Sequence, residues 1–252
     1  MALIDHMKHL RTACTVALTG SGVSAAQVLH VSQSSVVRSV LALERALHMV
    51  LFDRSAKGML PTPQFALLLA RCDRAFQHVA VTPVRKTAHH TQPDWMRCRF
   101  ALGLTGRHIR VFMSLAVTGS ETLTAQQLGV SQSAVHQTLA QLEHLSDRVL
   151  FTRSRQFGLR MTELGELVLH KCKLCLSELE QADEVLASWS GKVHGHLVIG
   201  TLPFSTGPLL SKVVDRVMQA LPGLKVTVID GTYDALIHQL RQADIDVMLG
   251  AL

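Results

Sequence analysis

One short stretch of this sequence occurs twice, and the repetition limits what the chain can fold into. Residues 31–44 read VSQSSVVRSVLALE, and residues 130–143 read VSQSAVHQTLAQLE. Aligning residues 9–54 with residues 108–153 without a gap gives about 20 identities in 46 positions. This agreement indicates an internal duplication, so both copies are expected to fold alike. We call residues 1–80 the first repeat and residues 107–192 the second repeat.

Each repeat has the pattern of a winged helix-turn-helix unit. An apolar helix is followed by a Gly-Ser break, a short helix, and an amphipathic helix that starts after Ser32 or Ser131, both good N-caps. A β-hairpin with a glycine is predicted next, over residues 51–62 and 150–162, and the second hairpin is one residue longer. Thr62 and Thr162 then open a further helix. Two short helices joined by a tight turn, the second polar at its start, favour helix-turn-helix.

The last helix of each repeat carries a seam typical of a coiled coil. The seam residues are Phe65, Leu69, Cys72, Phe76 and Val79 in the first repeat, and Leu164, Val168, Cys172, Cys175, Leu179, Ala182 and Leu186 in the second. Such a seam needs a partner helix, most simply from a second identical chain, although packing within the protein's own winged helix is the alternative. Residues 81–106 are predicted to be a linker, partly ordered near WMRCRFALGL, whose adjacent histidines are better explained as loop residues than as metal ligands.

Residues 193–252 alternate strand, helix, strand, helix and strand, which predicts an α/β domain with a parallel sheet. Three strands and two helices are about half of a usual domain of this class. The expected fold class is therefore mainly α, with two tandem winged helix-turn-helix units and coiled-coil-like linker helices, followed by the start of an α/β domain.

Charge and composition favour a nucleic-acid partner and a cytoplasmic location. The net charge is +6; residues 1–80 hold eight Lys/Arg against four Asp/Glu, and residues 81–107 hold five against one. A basic front end favours nucleic acid over a membrane surface, because no strongly basic amphipathic helix is evident. The start of the chain lacks signal-peptide character, no apolar run is long enough to span a membrane, and the five scattered cysteines are expected to be reduced.

These motifs resemble the LysR-type transcription regulators. The resemblance rests on Ala25-Ala26, VSQS at 31–34, Leu43-Glu44, the LF-R pattern at 51–54 and Thr62, and on their counterparts in the second repeat, and residues 195–252 are similar to the start of that family's effector-binding domain. It implies a sequence-specific, ligand-responsive DNA-binding regulator that forms a dimer or tetramer. Family members usually carry one DNA-binding unit and a longer effector domain than this sequence has.

The resemblance also implies which residues meet DNA. Gln33 and Ser34 are expected to reach base edges and Arg38 a phosphate or guanine, with Ser35 beside them and Arg54 and Lys57 on the wing. Arg54 has an alternative role, bracing Glu44 inside the unit. The corresponding candidates in the second repeat are Gln132, Ser133, His136, Gln137, Arg153 and Arg155. We call the amphipathic helix that starts after Ser32 or Ser131 the reading helix of its repeat. Because the second reading helix has glutamine at position 137, where the first has Arg38, the first repeat is expected to bind DNA more strongly.

The effector candidates follow the first strand of the α/β region. Thr201, Ser205 and Thr206 lie where ligands of parallel sheets bind, and they suit a small carboxylate, although helix capping explains Thr206 equally well. The CKLC motif at 172–175 is read as seam packing rather than as a redox or metal site. We see no catalytic constellation and expect no enzyme, cofactor or metal. The alternative function is that of a dimerisation or interaction protein that does not bind DNA.

Overall fold

The computed structural model describes residues 2–55, 58–81, 92–154, 158–189, 191, 195–203 and 208–250. The chain divides into two compact units, Met1–Leu179 and Glu180–Leu252. The first unit contains two sets of three helices and a hairpin, and the second contains a small sheet. The expectation of a mainly helical protein with a small parallel sheet is confirmed.

The first repeat consists of three helices, a two-stranded hairpin and a fourth helix. Gly20 ends the first helix in the left-handed conformation, with a φ of 75°. Ser21, Ser32 and Thr62 each cap the helix that follows, because the side-chain oxygen accepts a backbone N–H three residues on. The elements are α1 (Met7–Thr19), α2 (Gly22–Val28), α3 (Gln33–Leu47), β1 (Phe52–Ser55), β2 (Gly58–Pro61) and α4 (Pro63–His78).

The second repeat has the same order of elements and nearly the same caps. Thr105, Ser120 and Ser131 cap its first three helices, and Gly119 ends the first of these in the left-handed conformation. Equivalent positions differ by 99 up to the first strand and by 100 from the second strand onward. A short helix, α5 (Arg99–Gly103), precedes the repeat, whose elements are α6 (Gly106–Thr118), α7 (Glu121–Leu128), α8 (Gln132–Ser146), β3 (Phe151–Ser154), β4 (Gly158–Met161) and α9 (Glu163–Trp189).

Both repeats place one aromatic ring at the base of the hairpin, but on different helices. In the first repeat Phe65 of α4 packs edge-to-face on Phe52, with ring centroids 5.3 Å apart. In the second repeat Phe112 of α6 packs in the same way on Phe151, at 5.4 Å. The position equivalent to Phe65 is Gly165, where a Cβ atom would approach the Leu150 carbonyl oxygen to 2.3 Å. The same site in the core is thus filled from a different helix in each repeat.

The two repeats pack against each other through α4 and α9, which run antiparallel. Arg71 and Arg74 of α4 both reach Glu178 of α9, with N–O distances of 3.3 and 2.8 Å. At the other end of the contact, His78 of α4 and Lys171 of α9 line one shared cleft. Residues later in α4 therefore lie beside residues earlier in α9.

The apolar seams of these helices are buried inside a single chain. The buried residues are Phe65, Leu68, Cys72, Ala75 and Phe76 on α4, and Val168, Cys172, Cys175 and Leu179 on α9. The structure here differs from the expectation that a second chain most simply supplies the partner helix. The duplication provides a complementary helix on the same chain, and Glu178 lies opposite the two arginines of α4.

The segment that joins the repeats is anchored to the first of them. A 3-10 helix at Asp94–Arg97 holds Trp95, whose indole N–H donates to Asp73 Oδ1 at 2.7 Å. The indole ring also lies 5.1 Å from the ring of Phe76, and Trp95 is fully buried. Within the predicted linker, the 3-10 helix is therefore packed on α4, while residues 82–91 lie outside the described part.

The second unit contains a three-stranded parallel sheet in the order β6-β5-β7. Its strands and helices are β5 (Gly195–Thr201), α10 (Pro208–Ala220), β6 (Leu224–Asp230), α11 (Tyr233–Arg241) and β7 (Val247–Leu249). The strand–helix–strand–helix–strand order agrees with the prediction from the sequence. Helix α10 connects the neighbouring strands β5 and β6, whereas α11 connects β6 with β7 on the other side of β5.

Candidate nucleic-acid interface

The first turn of α3 presents polar groups to solvent. Gln33, Ser34 and Arg38 are exposed, whereas the opposite face of the helix buries Val36 and Val40. Because the core fixes one face of α3, the other face is held in a constant orientation. This is the arrangement that a helix needs in order to enter a DNA groove.

Hydrogen bonds within this first turn organise its polar side chains. Ser32 Oγ lies 3.0 Å from Ser34 Oγ and 2.9 Å from Ser35 Oγ. Arg38 Nη2 donates to Ser35 Oγ at 3.1 Å. Ser35, one of the predicted contact residues, is only half-exposed and positions Arg38. The residues of α3 that are predicted to contact DNA are therefore brought together on one and a half turns of the helix.

The first turn of α8 repeats this arrangement with less charge. Gln132, Ser133, His136 and Gln137 are all exposed, and Ser131 Oγ lies 3.0 Å from Ser133 Oγ. Gln137 stands where the first repeat has Arg38. The second reading helix thus carries no arginine on this turn.

A carboxylate that the sequence analysis did not single out lies beside the second reading helix. Glu121, at the start of α7, accepts a hydrogen bond from Arg153 Nη2 at 2.8 Å, and its Oε1 lies 3.2 Å from His136 Nδ1. The side chain of Glu121 is only 9% exposed, whereas that of Arg153 is 70% exposed. His136 and Arg153, two of the residues predicted to contact DNA, are therefore both bound to the carboxylate of Glu121. The equivalent position in the first repeat is Gly22, which supplies no carboxylate.

Each hairpin is fixed to the turn between the first two helices of its repeat. Met59 N donates to the Gly20 carbonyl at 3.2 Å, and Leu159 N donates to the Gly119 carbonyl at 2.9 Å. Gly58 allows this approach, because a Cβ atom there would lie 2.7 Å from the Gly20 oxygen and its φ is +114°. The hairpin is therefore held in a fixed position next to the reading helix.

The wing residues are only partly described. Arg54 lies in β1, but its side chain, Lys57 and Arg155 lie outside the described residues. The alternative partner of Arg54, Glu44, accepts a hydrogen bond from Leu51 N at 2.9 Å, and the equivalent Glu143 accepts one from Leu150 N at 2.8 Å. These glutamates fix the start of the hairpin, a role that the sequence analysis did not assign to them.

The predicted effector residues fall in the second unit. Thr201 is fully buried at the end of β5, and its hydroxyl donates a short hydrogen bond to Asp230 Oδ1. An effector carboxylate that binds Thr201 would have to replace this partner. Ser205 and Thr206 lie outside the described residues.

The cysteines are packing residues. All five are buried, and burial raises the pKa of Cys172 to about 12 and that of Cys175 above its usual range. Buried thiols that stay protonated are poor nucleophiles and poor metal ligands. Among the described residues no group of three or more His, Cys, Asp or Glu side chains is placed to hold a metal ion. Within the same residues, no helix is long and apolar enough to cross a membrane.

Comparison with known proteins shows which family parts of the chain resemble. Two segments, residues 7–64 and 106–166, match the model of the bacterial regulatory helix-turn-helix protein, lysR family. The chain is similar to the HTH-type transcriptional regulator GalR of Pseudomonas putida, with 29% identity over 99% of this chain and 61% of that protein. It also resembles the uncharacterized HTH-type transcriptional regulator YvbU of Bacillus subtilis, with 29% identity over 57% of this chain and 49% of that protein.

Among solved structures, a full-length OxyR variant from Pseudomonas aeruginosa is similar to 59% of this chain and 50% of its own, at 22% identity and a TM-score of 0.43. The chain thus spans about half to three fifths of the length of the relatives that it matches. The two matched segments coincide with the two sets of three helices and a hairpin described above. The resemblance found in the sequence is confirmed, because both segments match the model of the bacterial regulatory helix-turn-helix protein, lysR family.

Proposed function

We propose that the chain is a sequence-specific DNA-binding transcription regulator with two winged helix-turn-helix units. The observation that carries the proposal is the exposed polar first turn of α3, with Gln33, Ser34 and Arg38 on a helix whose other face is core. Its counterpart on α8, within the second segment that matches the family, supports a reading role for both repeats. The alternative, an interaction protein that does not bind DNA, gives no reason for this exposed set.

The residues take different roles in this proposal. Gln33 and Gln132 suit the N6/N7 edge of adenine, and Arg38 suits guanine or a phosphate. Arg54, Lys57, Arg153 and Arg155 of the wings are proposed backbone contacts. The first repeat is the stronger reader, because Glu121 holds Arg153 and His136 of the second repeat.

The second unit is proposed to belong to a ligand-sensing domain. Thr201 ends β5, at the carboxyl end of a parallel strand, where small ligands of such sheets bind, and Ser205 and Thr206 follow it in the sequence. In this proposal a small carboxylate is the effector, and the domain architecture is a first winged helix at 1–80, a connecting segment at 81–106, a second winged helix at 107–192 and an α/β region at 193–252.

The test is a selection from duplex DNA with a random core, followed by anisotropy titration of a selected and a scrambled duplex at several salt concentrations. We expect the selected duplex to bind at least about a thousandfold more tightly. We also expect affinity for both duplexes to fall steeply with salt, as counterions are released from phosphates. Equal affinity for both duplexes, or no binding at low salt, would overturn the proposal.

A further inference from the structure

We infer that one chain provides a complete pair of DNA-reading winged helix-turn-helix units, which we call heads. With them it recognises duplex DNA with two inverted, non-identical half-sites. The inference rests on the proposed function and adds to it the arrangement of the target and the number of chains on it. It follows from contacts between the repeats that occur twice, with the roles of the repeats exchanged.

The first such pair of contacts involves the first helix of each repeat. Arg11 of α1 donates from Nη1 to the Leu102 carbonyl and from Nη2 to the Leu104 carbonyl, each at 2.6 Å. The residue equivalent to Arg11 is Arg110 of α6, and it lies 2.6 Å from Asp5. Asp5 is the residue equivalent to Leu104. Each first helix therefore binds the segment that precedes the first helix of the other repeat.

The second pair of contacts involves the linker helices. Arg71 binds Glu178 at 3.3 Å. The residues equivalent to Arg71 and Glu178 are Lys171 and His78, and these two line one cleft. After burial, the nearby Lys171 is the next largest cause that lowers the pKa of His78. Equivalent positions of the two linker helices therefore lie near each other at both ends of the interface, although only Arg71 and Glu178 form an ion pair.

Contacts that recur with exchanged roles define an interface of two-fold type. In a symmetric dimer, residue i of one subunit meets j of the other, and j meets i. Here the same rule holds between two halves of one chain. A two-fold relation orients α3 and α8 in opposite directions along a duplex, whereas a flexible tether between the heads would also permit a direct repeat.

The interface is buried and fixed, so it holds the heads in one arrangement. Arg11 is 5% exposed, and its guanidinium lies 5.3 Å from the centre of the Phe76 ring. Trp95 anchors the connecting segment to the same helix, α4. The α4–α9 contact is made within the chain, so a second chain is not needed to place the two heads side by side.

The half-sites are expected to differ in sequence because the reading turns differ. Val37 and Arg38 of the first repeat correspond to His136 and Gln137 of the second. Paired helix-turn-helix heads commonly read half-sites about one helical turn apart, roughly 10 base pairs. The expected target is therefore an imperfect inverted repeat with that spacing.

The first experiment uses the random-core duplex pool and the full chain. We expect enriched sequences to contain two related motifs in inverted orientation, and the complex to contain one 27.6 kDa chain per duplex by mass photometry. Gln33→Ala should then relax base preference in one half-site only, and Gln132→Ala in the other only. Direct repeats, single motifs, two chains per inverted pair, or one variant that affects both halves would overturn the inference. Failure to enrich any sequence would instead overturn the proposed function and leave no DNA target for the paired heads.

A second experiment tests the arrangement without DNA. Spin labels at Gln33→Cys and Gln132→Cys report the distance between the reading helices by pulsed dipolar spectroscopy, since all five native cysteines are buried. We expect one narrow distance distribution that is unchanged after tenfold dilution with unlabelled chain. The singly labelled chain is the control and should give no distance. A broad distribution, or a signal that disappears on dilution, would overturn the fixed pair within one chain.

Discussion

Helices α3 and α8 begin with nearly the same residues, but the charges around their first turns differ. In the first repeat Arg38 is exposed and Gly22 begins the neighbouring helix. In the second repeat Gln137 replaces the arginine, and Glu121 holds both His136 and Arg153. The backbone arrangement is kept while the charge on and beside the exposed turn is changed. The repeats thus show that a fixed scaffold tolerates divergence of its exposed reading turn.

The cores of the two repeats show the opposite behaviour. Phe65 and Ala13 of the first repeat correspond to Gly165 and Phe112 of the second, and one ring fills the site below the hairpin in both. The two substitutions therefore compensate each other. A packed interior tolerates a ring that comes from a different helix more readily than a change in the total side-chain volume. The following changes test the comparison, from the largest expected effect to the smallest.

Giving the first repeat the core residues of the second, Phe65→Gly with Ala13→Phe, should show that the two substitutions are strongly coupled in their effect on the free energy of unfolding. Phe65→Gly alone is expected to lower the free energy of unfolding by about 4–6 kcal/mol, since it removes a buried ring and places glycine in a helix. Adding Ala13→Phe should restore at least about 1 kcal/mol of this loss, because the new ring occupies the vacated site. Urea unfolding of the single and double variants measures the coupling. Strictly additive losses would show that the two rings do not share one site.

The equivalent arginines Arg11 and Arg110 should differ strongly in their contribution to stability. Arg11→Met leaves the carbonyls of Leu102 and Leu104 without their buried donor, which is expected to cost about 3 kcal/mol. Arg110→Met breaks only an exposed ion pair with Asp5 and should cost less than about 1 kcal/mol. Thermal and urea unfolding of both variants test this order. A similar loss in both would mean that the buried bonds of Arg11 add little.

The reading turns should differ in their contribution to DNA binding. Arg38→Ala is expected to weaken binding to a selected duplex about tenfold and to reduce the salt slope by about 1 if the contact is a phosphate. Gln137→Ala, the matched control on α8, should change affinity less and leave the salt slope unaltered. Equal or reversed losses in titrations at several salt concentrations would contradict a dominant first repeat.

Exchanging the residues at the start of α2 and α7 should shift affinity severalfold in opposite directions. Glu121→Gly frees Arg153 and His136 and is expected to strengthen binding. Gly22→Glu introduces a carboxylate beside α3 and is expected to weaken binding; the nearest atoms to a Cβ there lie 3.9 Å away, so a Cβ atom can be accommodated. Gly22→Gln is the uncharged control. Anisotropy titrations in which both variants shift affinity in the same direction would contradict this role of Glu121.

The sequence predicted the local elements well because their causes are local. Ser32 and Thr62 cap helices in the structure as their positions indicated, and the apolar periodicity of α3 matches its buried face. The residues of the reading turns are exposed, although their contact with DNA stays a prediction. Glu121 was missed, but a position-by-position comparison of the repeats shows an acid there opposite Gly22.

The partner of the linker helices was not predictable from periodicity. An apolar seam specifies that a helix is covered, but it does not specify whether the covering helix comes from the same chain. The role of Arg11 was equally hidden, because one arginine on an amphipathic helix has the same local pattern whether it is exposed or buried. Only the tertiary contacts with Leu102 and Leu104 distinguish these cases.

The antiparallel contact of α4 with α9 has a consequence for how occupancy depends on protein concentration. Two heads that meet by association of separate chains form a pair in proportion to the square of the free chain concentration, and they can exchange with related chains. In the arrangement proposed here, two heads joined in one polypeptide form the pair at any dilution, so occupancy of a target with two half-sites is expected to rise in direct proportion to the chain concentration when that concentration is low. Each head can also change its preferred sequence by mutation without altering the other.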